Sequence, residues 1–125
     1  MEIFTPISVG EILDKISILE IKREHIKNEV KLNEIEKELT ALIKICDVTL
    51  QYYKYWVEKL KEANRLVYDD IEKQFEKEKK GEYDHTCVQL SRDVILNNDK
   101  RYQIKREINN FYGSEIKEQK SYDNI

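Results

Sequence analysis

The sequence predicts an all-α protein, an antiparallel helical bundle of four to five helices with a long central helix hairpin. Apolar residues recur at helical spacing along most of the 125 residues. Glycine occurs three times and proline once, whereas an all-β domain needs many turn residues. Charged residues make up 38% of the chain and hydrophobic residues 40%, a balance typical of amphipathic helices with charged outer faces.

Local signals delimit the first half of the predicted bundle. Ser8 is the predicted N-cap of a first helix over about 9–28, because Glu11 follows three residues later as in a capping box. A turn over residues 27–33, which contains two asparagines, separates this helix from the second. Asp47 begins a third helix or a kinked continuation of the second.

The second half is divided by glycine, aspartate and asparagine. Gly81 is predicted to end the third helix, and Asp84 to cap the fourth. The side chains of residues 97–99 compete for backbone hydrogen bonds, so they predict a break or kink there. A fifth helix over about 99–112 then ends at Gly113.

Length and charge limit the class of protein. We expect one domain over residues 1–125, with a polar tail over 115–125. The net charge of −3 argues against binding to duplex nucleic acid, because such proteins are normally basic. No apolar run reaches the roughly 20 residues that a membrane span needs. With no recognisable signal peptide and two widely spaced cysteines, the prediction is a cytoplasmic protein.

Polar stripes accompany the apolar faces of the first and last predicted helices. The first stripe comprises Glu11, Asp14, Lys15, Ser17 and Lys22, and the second comprises Arg101, Lys105, Asn109 and Tyr112. Residues 100–120 hold six cations and three anions, although the chain as a whole is acidic. Guanidinium and ammonium groups at the rim of a core suit a phosphate or carboxylate. An ordinary solvated charged face is the alternative interpretation.

Other chemistry finds less support in the sequence. His85 and Cys87 lack the closely spaced partners of a zinc site, and no glycine-rich phosphate loop occurs. The sequence therefore predicts neither a metal nor a cofactor. Asn64 falls within a near-heptad apolar seam, where it is either solvated or a register-setting or ligand-facing polar group. The aromatic cluster of Tyr52, Tyr53, Tyr55 and Trp56 indicates an aromatic core or a dimer surface, with stacking on a base as the alternative.

Two terminal segments resemble the same group of proteins. One is ISVGEILDKISILEIK over residues 7–22. The other runs from NDKR at 98–101, through Lys105 and the Ile108-Asn109 pair, to EQKSY at 118–122. Together they resemble an uncharacterised family of small all-helical domains, found in bacterial surface-polysaccharide gene clusters and in phage genomes. The resemblance spans nearly the whole chain and implies a helical fold, but it brings no function with it.

If the first and last helices are neighbours, their polar side chains converge on one pocket. The predicted ligand-binding residues are Ser8, Asp14, Lys15, Lys22, Arg101, Lys105, Asn109, Tyr112, Lys120 and Tyr122. The lysines and Arg101 would meet phosphates, whereas Asp14, Asn109 and Tyr112 would contact a sugar or base.

The leading hypothesis is a non-enzymatic module that binds or sequesters a small phosphorylated ligand, such as a nucleotide, cyclic nucleotide or nucleotide sugar. In a phage it would serve as an anti-defence protein. One alternative is a small enzyme acting on a nucleotide or sugar phosphate, with Glu11 or Asp14 as base or metal ligand. Another is a protein-interaction adaptor that uses residues 52–56. A homodimer or higher homo-oligomer is expected in each case.

Overall fold

The computed structural model describes residues 1–124, and each regular element in that range is helical. The elements are α1 (Val9–His25), α2 (Glu29–Thr49), α3 (Tyr53–Lys80), α4 (His85–Tyr112) and a short 3-10 helix over Ser121–Asn124. The predicted all-α class is confirmed. Within the same range, no helix combines the length and the apolar character that crossing a membrane requires.

Several helix starts and ends follow local signals of the sequence, but the first turn does not lie where it was predicted. α1 ends at His25 rather than at about residue 28, and α2 begins at Glu29, inside the turn expected over residues 27–33. Ser8, Asn28 and Asp84 each accept a hydrogen bond from a backbone N–H in the first turn of α1, α2 and α4, respectively. Such a cap contributes about 1 kcal/mol. Gly81 and Gly113 end α3 and α4 with φ angles of +65° and +63°, a conformation that glycine adopts without a steric penalty. The predicted caps at Ser8 and Asp84 and the two glycine ends are confirmed.

The boundary between the second and third helices was predicted in the wrong place. α2 continues through Asp47 to Thr49, and the break lies at residues 50–52. Tyr52 takes a left-handed φ of +63° there, which is uncommon for a residue with a side chain. Asp47 accepts a 2.6 Å hydrogen bond from the hydroxyl of Tyr53 on the next helix, so its side chain is used in a contact across the turn.

The predicted break at residues 97–99 is wrong, because α4 runs without interruption from His85 to Tyr112. The asparagine side chains do not bond to their own backbone here. Asn97 donates a 3.0 Å hydrogen bond to Asp70 on α3, and Asn98 accepts one of 3.5 Å from Arg101. The contact of Asn97 with α3 and the bond of Asn98 within α4 therefore offset the weak helix propensity of this segment.

One apolar core joins all four α-helices, and α1 packs against each of the other three. Its most deeply buried apolar residues are Leu13, Ile16, Leu39, Cys46, Leu60 and Ile108. Tyr53 and Trp56 are buried in the same core, whereas Tyr52 and Tyr55 are exposed. The Trp56 ring lies 5.4 Å from the ring of Phe111 on α4. Half of the aromatic cluster is therefore core, as one interpretation of the sequence expected.

The start of α1 meets α4 at Gly10. Its N–H donates a 2.7 Å hydrogen bond to the side chain of Asn109, and the N–H of Val9 donates one of 3.2 Å to Ser114. A Cβ atom at Gly10 would lie 2.8 Å from the carbonyl oxygen of Lys105 and 3.0 Å from Oδ1 of Asn109. A side chain of any size would therefore push the two helices apart.

We expect the substitution Gly10→Ala to destabilise the protein by about 1–3 kcal/mol, because the added methyl group overpacks a close backbone contact. Urea unfolding followed by circular dichroism measures this loss. Helix propensity alone gives the opposite sign, since alanine is favoured over glycine within a helix by about 1 kcal/mol. A variant as stable as the wild type, or more stable, would contradict the steric interpretation.

Candidate functional site

The site is built on an ion pair between α1 and α4. Asp14 is only 1% exposed, and both of its carboxylate oxygens accept hydrogen bonds from the guanidinium group of Arg101. The distance from Nε of Arg101 to Oδ1 of Asp14 is 2.9 Å. The hydrogen bond to Asp14 raises the pKa of Arg101. Such a bidentate pair fixes both the spacing and the rotation of the two helices.

Asn64 connects this pair to α3. Its side-chain amide donates to Oδ1 of Asp14 at 2.9 Å and to the hydroxyl of Ser17 at 2.7 Å. Ser17 in turn donates a 2.7 Å hydrogen bond to the backbone carbonyl of Asp14. Asn64 is buried, so the solvated alternative considered from the sequence is wrong. Three helices thus contribute to one hydrogen-bonded polar cluster inside the protein.

Lys105 is the second charged group placed at the edge of the core. Its side chain is 7% exposed, and its Nζ lies 2.8 Å from Glu11 and 2.6 Å from Glu118. Burial acts to lower the pKa of Lys105, but the hydrogen bonds to the two carboxylates outweigh it, so the pKa is raised. Lys105 is therefore a cation at neutral pH and depends on nearby anions.

The C-terminal segment, residues 114–122, covers one side of this cluster. Ser114 anchors it, since its hydroxyl accepts from the Val9 N–H and donates a 2.6 Å hydrogen bond to the carbonyl of Ile116. Glu118 then reaches Lys105, and its other oxygen lies 2.9 Å from Lys120. Burial acts to raise the pKa of Glu118, but its bonds to the two lysines prevail, and the pKa lies below its ordinary value.

These groups surround an open concavity of about 390 Å³. Its lining comprises Glu11, Asn98, Arg101, Tyr102, Lys105, Glu118, Lys120 and Tyr122. Three of these side chains are cations and two are carboxylates, and the Asp14 carboxylate directly behind Arg101 balances the remaining positive charge. The ammonium group of Lys120 lies 5.7 Å from the centre of the Tyr102 ring. The concavity is within the size range of sites for small molecules.

Four of the ten predicted residues line this concavity: Arg101, Lys105, Lys120 and Tyr122. Three others support it from behind. Asp14 holds Arg101, Asn109 binds the start of α1, and Ser8 caps α1. The structure thus brings the two ends of the chain together, which was the geometric premise of the predicted pocket. The ligand-binding role of these residues stays a prediction.

Lys15, Lys22 and Tyr112 lie outside the concavity. Successive residues on an α-helix are about 100° apart, so Lys15 and Lys22 both project roughly 90° away from Asp14. Lys15 instead pairs with Glu38 on α2 at 3.0 Å, and Lys22 is exposed. Tyr112 lies about 10 Å further along α4 than Lys105, and its hydroxyl donates to the carbonyl of Gln51.

Four lining residues were not predicted to face a ligand. Asn98 and Tyr102 could have been found, because positions 98, 101, 102 and 105 share one face of a helix. The assumed break at 97–99 concealed that face. Glu11 was considered only as a base or metal ligand of an enzyme. Glu118 opens the EQKSY segment that contains Lys120 and Tyr122, but this segment has no periodic pattern that would place it against Lys105.

A comparison of the sequence with models of protein families identifies the family to which the chain belongs. The sequence model of a family of unknown function, DUF6165, matches residues 3–125. The chain belongs to DUF6165. Neither a curated protein nor a solved structure shows a significant match. The predicted membership of an uncharacterised family is therefore confirmed, and the range shared with DUF6165 contains both terminal segments, including the residues that line the concavity.

We expect Asp14→Ala to destabilise this DUF6165 protein by about 3–5 kcal/mol, because it leaves the partly buried Arg101 without its partner. In a double-mutant cycle with Arg101→Ala, the double variant should lose much less than the sum of the two single losses. The matched control is the exposed pair of Lys15 and Glu38, where we expect a coupling below about 1 kcal/mol. Urea unfolding measures all six variants. Equal coupling in the two pairs would rule out a special role for Asp14.

The depressed pKa of Glu118 predicts how the C-terminal segment responds to acid. A carboxylate whose pKa is lower in the folded state than its ordinary 4.5 stabilises the folded state fully above that value. The stabilisation is lost as the pH falls through the lower, native pKa. A carbon-13 NMR titration of the Glu118 carboxyl group should therefore show a midpoint below 4.5. A midpoint at or above the ordinary value would mean that the ion pairs with Lys105 and Lys120 do not form in solution.

Proposed function

We propose that this DUF6165 protein binds a small phosphorylated ligand in the concavity formed by Arg101, Lys105 and Lys120, and releases it unchanged. The observation that carries the proposal is the convergence of these three cations from two separate parts of the chain. They meet at a polar concavity of about 390 Å³ beside the core. Phosphate groups are bound well by such combinations of guanidinium and ammonium groups.

The energetics of the cluster favour a role beyond stability. Removing Asp14 and Lys105 from water costs several kcal/mol per ion, and ion pairing recovers only part of this cost. Apolar residues of similar size would often stabilise such positions at least as well. A charged cluster at the edge of a core, open on one side to a concavity, is therefore the feature of this fold that a ligand best explains.

The three cations would have different tasks. Arg101 is held by Asp14 and presents a fixed guanidinium edge, whereas Lys120 is 37% exposed, lies on the irregular C-terminal segment and pairs with Glu118. Lys105 supplies a desolvated positive charge at the base of the concavity, where electrostatic attraction is strong. Asn98 and the exposed Tyr122 lie at the rim and would contact the sugar or base.

Binding without turnover is favoured by the contacts of the acidic residues. Catalysis on a phosphate ester would need a carboxylate able to accept a proton or hold a metal. Asp14 accepts hydrogen bonds from Arg101 and Asn64, and Glu11 is paired with Lys105. Both carboxylates proposed for the enzyme alternative therefore hold binding groups in position.

The wider setting of the proposal rests on the family resemblance. If the ligand is a signalling nucleotide, a phage-encoded copy of this module would lower its free concentration in the host cytoplasm and so act against a defence response. A bacterial copy in a surface-polysaccharide cluster would instead meet nucleotide sugars. In both settings the site would bind a phosphorylated ligand of nucleotide size through its cationic side chains.

We infer that α3 and α4 form the long antiparallel hairpin of a helical bundle. Lys59 near the start of α3 pairs with Glu107 near the end of α4, while Gln74 towards the end of α3 contacts Ser91 near the start of α4. The proposal also retains a homodimer, with the exposed apolar side chain of Phe75 on α3 as a candidate contact.

Lys120→Ala should weaken ligand binding about tenfold, because a charge-assisted hydrogen bond contributes about 1.5–3 kcal/mol. The ligand panel comprises inorganic phosphate, pyrophosphate, ADP, cyclic AMP, cyclic GMP and UDP-glucose. Thermal shift and calorimetry measure binding, and raised ionic strength should weaken it.

Lys117→Ala is the matched control, since Lys117 is exposed on the same segment and contacts Asn110 rather than the concavity. Arg101→Ala is a poor test because it would leave Asp14 buried without its partner. Failure of all six compounds to bind, or equal weakening by Lys117→Ala and Lys120→Ala, would reject the proposed site. If the ligand recovered from the denatured complex is chemically altered, the protein is an enzyme and the proposal of binding without turnover is wrong.

A further inference from the structure

The structure points to an occupant that already holds the position of the ligand, namely the carboxylate of Glu118. We infer that a phosphate group binds where this carboxylate lies and displaces it, so that the C-terminal segment regulates access to the site. This inference rests on the proposed function and names its regulation. It also specifies the ligand as an anion with at least two terminal oxygen atoms.

The geometry of Glu118 supports this assignment. One of its oxygens lies 2.6 Å from Nζ of Lys105, and the other lies 2.9 Å from Nζ of Lys120. The carboxylate therefore bridges two ammonium groups, as two non-bridging oxygens of a phosphate would. Lys105 and Lys120 cannot bind a phosphate at these positions while Glu118 occupies them. A ligand at this site must compete with the protein's own side chain.

The attachment of Glu118 suits displacement. It lies between Gly113, where α4 ends, and the short 3-10 helix that begins at Ser121, in a stretch that is neither helix nor strand. Ser114 holds the base of the segment through two hydrogen bonds. Next to Glu118 in the chain, Lys117 donates an exposed 3.3 Å hydrogen bond to Asn110. Exposed polar contacts of this kind contribute little, so the main cost of displacement is breaking the two ion pairs of Glu118, which the phosphate replaces.

Glu11 provides the contrast within the same site. It also pairs with Lys105, at 2.8 Å, but it lies in the first turn of α1 beside the tightly packed Gly10. Its backbone cannot move without opening the contact between α1 and α4. Lys105 therefore keeps one carboxylate partner when Glu118 leaves, and the incoming phosphate replaces the other. The buried ammonium group is never left unpaired during the exchange.

The test compares Glu118→Gln with Glu11→Gln, using inorganic pyrophosphate as the probe and calorimetry as the measurement. Competition reduces apparent affinity by the fraction of time that the site is vacant, so removing the competitor should tighten binding by about tenfold. Glu11→Gln removes an equal charge at a similar distance from Lys105, but it removes no displaceable group. Because Glu11 also positions Lys105, this variant changes affinity through charge and alignment, and we expect it to tighten binding less than Glu118→Gln does. Equal tightening by both variants would show that charge alone is responsible, and would overturn the inference.

A second measurement uses the wild-type protein, whose mass of 15.1 kDa suits NMR. The heteronuclear NOE of residues 115–119 should fall when pyrophosphate saturates the site, whereas in Glu118→Gln it should be low from the start. An unchanged or higher NOE in the bound wild type would overturn displacement.

The two proposals fail separately. If pyrophosphate binds to the wild type, and Lys120→Ala weakens it, but Glu118→Gln has no effect, the binding site stands and its regulation by Glu118 does not. If none of the six compounds binds to either the wild type or Glu118→Gln, both the phosphate site and the inference drawn from it are rejected.

Discussion

The buried carboxylate of Asp14 is the constraint on which the rest of the structure depends. A charge that is 1% exposed must be paired, and only Arg101 approaches it from α4 with a matching pair of donors. This requirement sets where α1 and α4 meet. The close contact at Gly10 and the inward position of Lys105 then follow from the same alignment. The concavity lies on the outer side of this pair, so its shape follows from a contact inside the protein.

The helices were predictable where a local signal was sufficient. A serine or aspartate cap and a glycine in the left-handed conformation act within one turn, and the structure places them as expected. The two failures, at Asp47 and at residues 97–99, share a cause. In each case a short polar side chain that favours a turn in isolation is used in a contact with a neighbouring helix. Such contacts depend on how the helices pack, so they cannot be predicted from the neighbouring residues in the sequence.

The candidate site was predictable in part for the same reason. The polar residues of α4 follow a helical repeat, so Arg101 and Lys105 were correctly expected on one face. The sequence did not show which side of α1 faces α4. Lys15 and Lys22 were therefore assigned to the pocket, although Lys15 pairs with Glu38 on α2 and Lys22 is exposed. Glu118 occupies irregular structure, where no periodicity connects position in the chain with position in space. Its place beside Lys105 is visible only in the folded protein.

The bonds between the start of α1 and the end of α4 also have a consequence for synthesis on the ribosome. The hydrogen bond from Gly10 to Asn109 spans 99 positions of the chain, and that from Arg101 to Asp14 spans 87. The aspartate is therefore made long before its partner leaves the exit tunnel. Until then the nascent chain can keep this charge in water only by leaving α1 loosely docked. The contact between α1 and α4 can therefore form only once α4 is free of the exit tunnel.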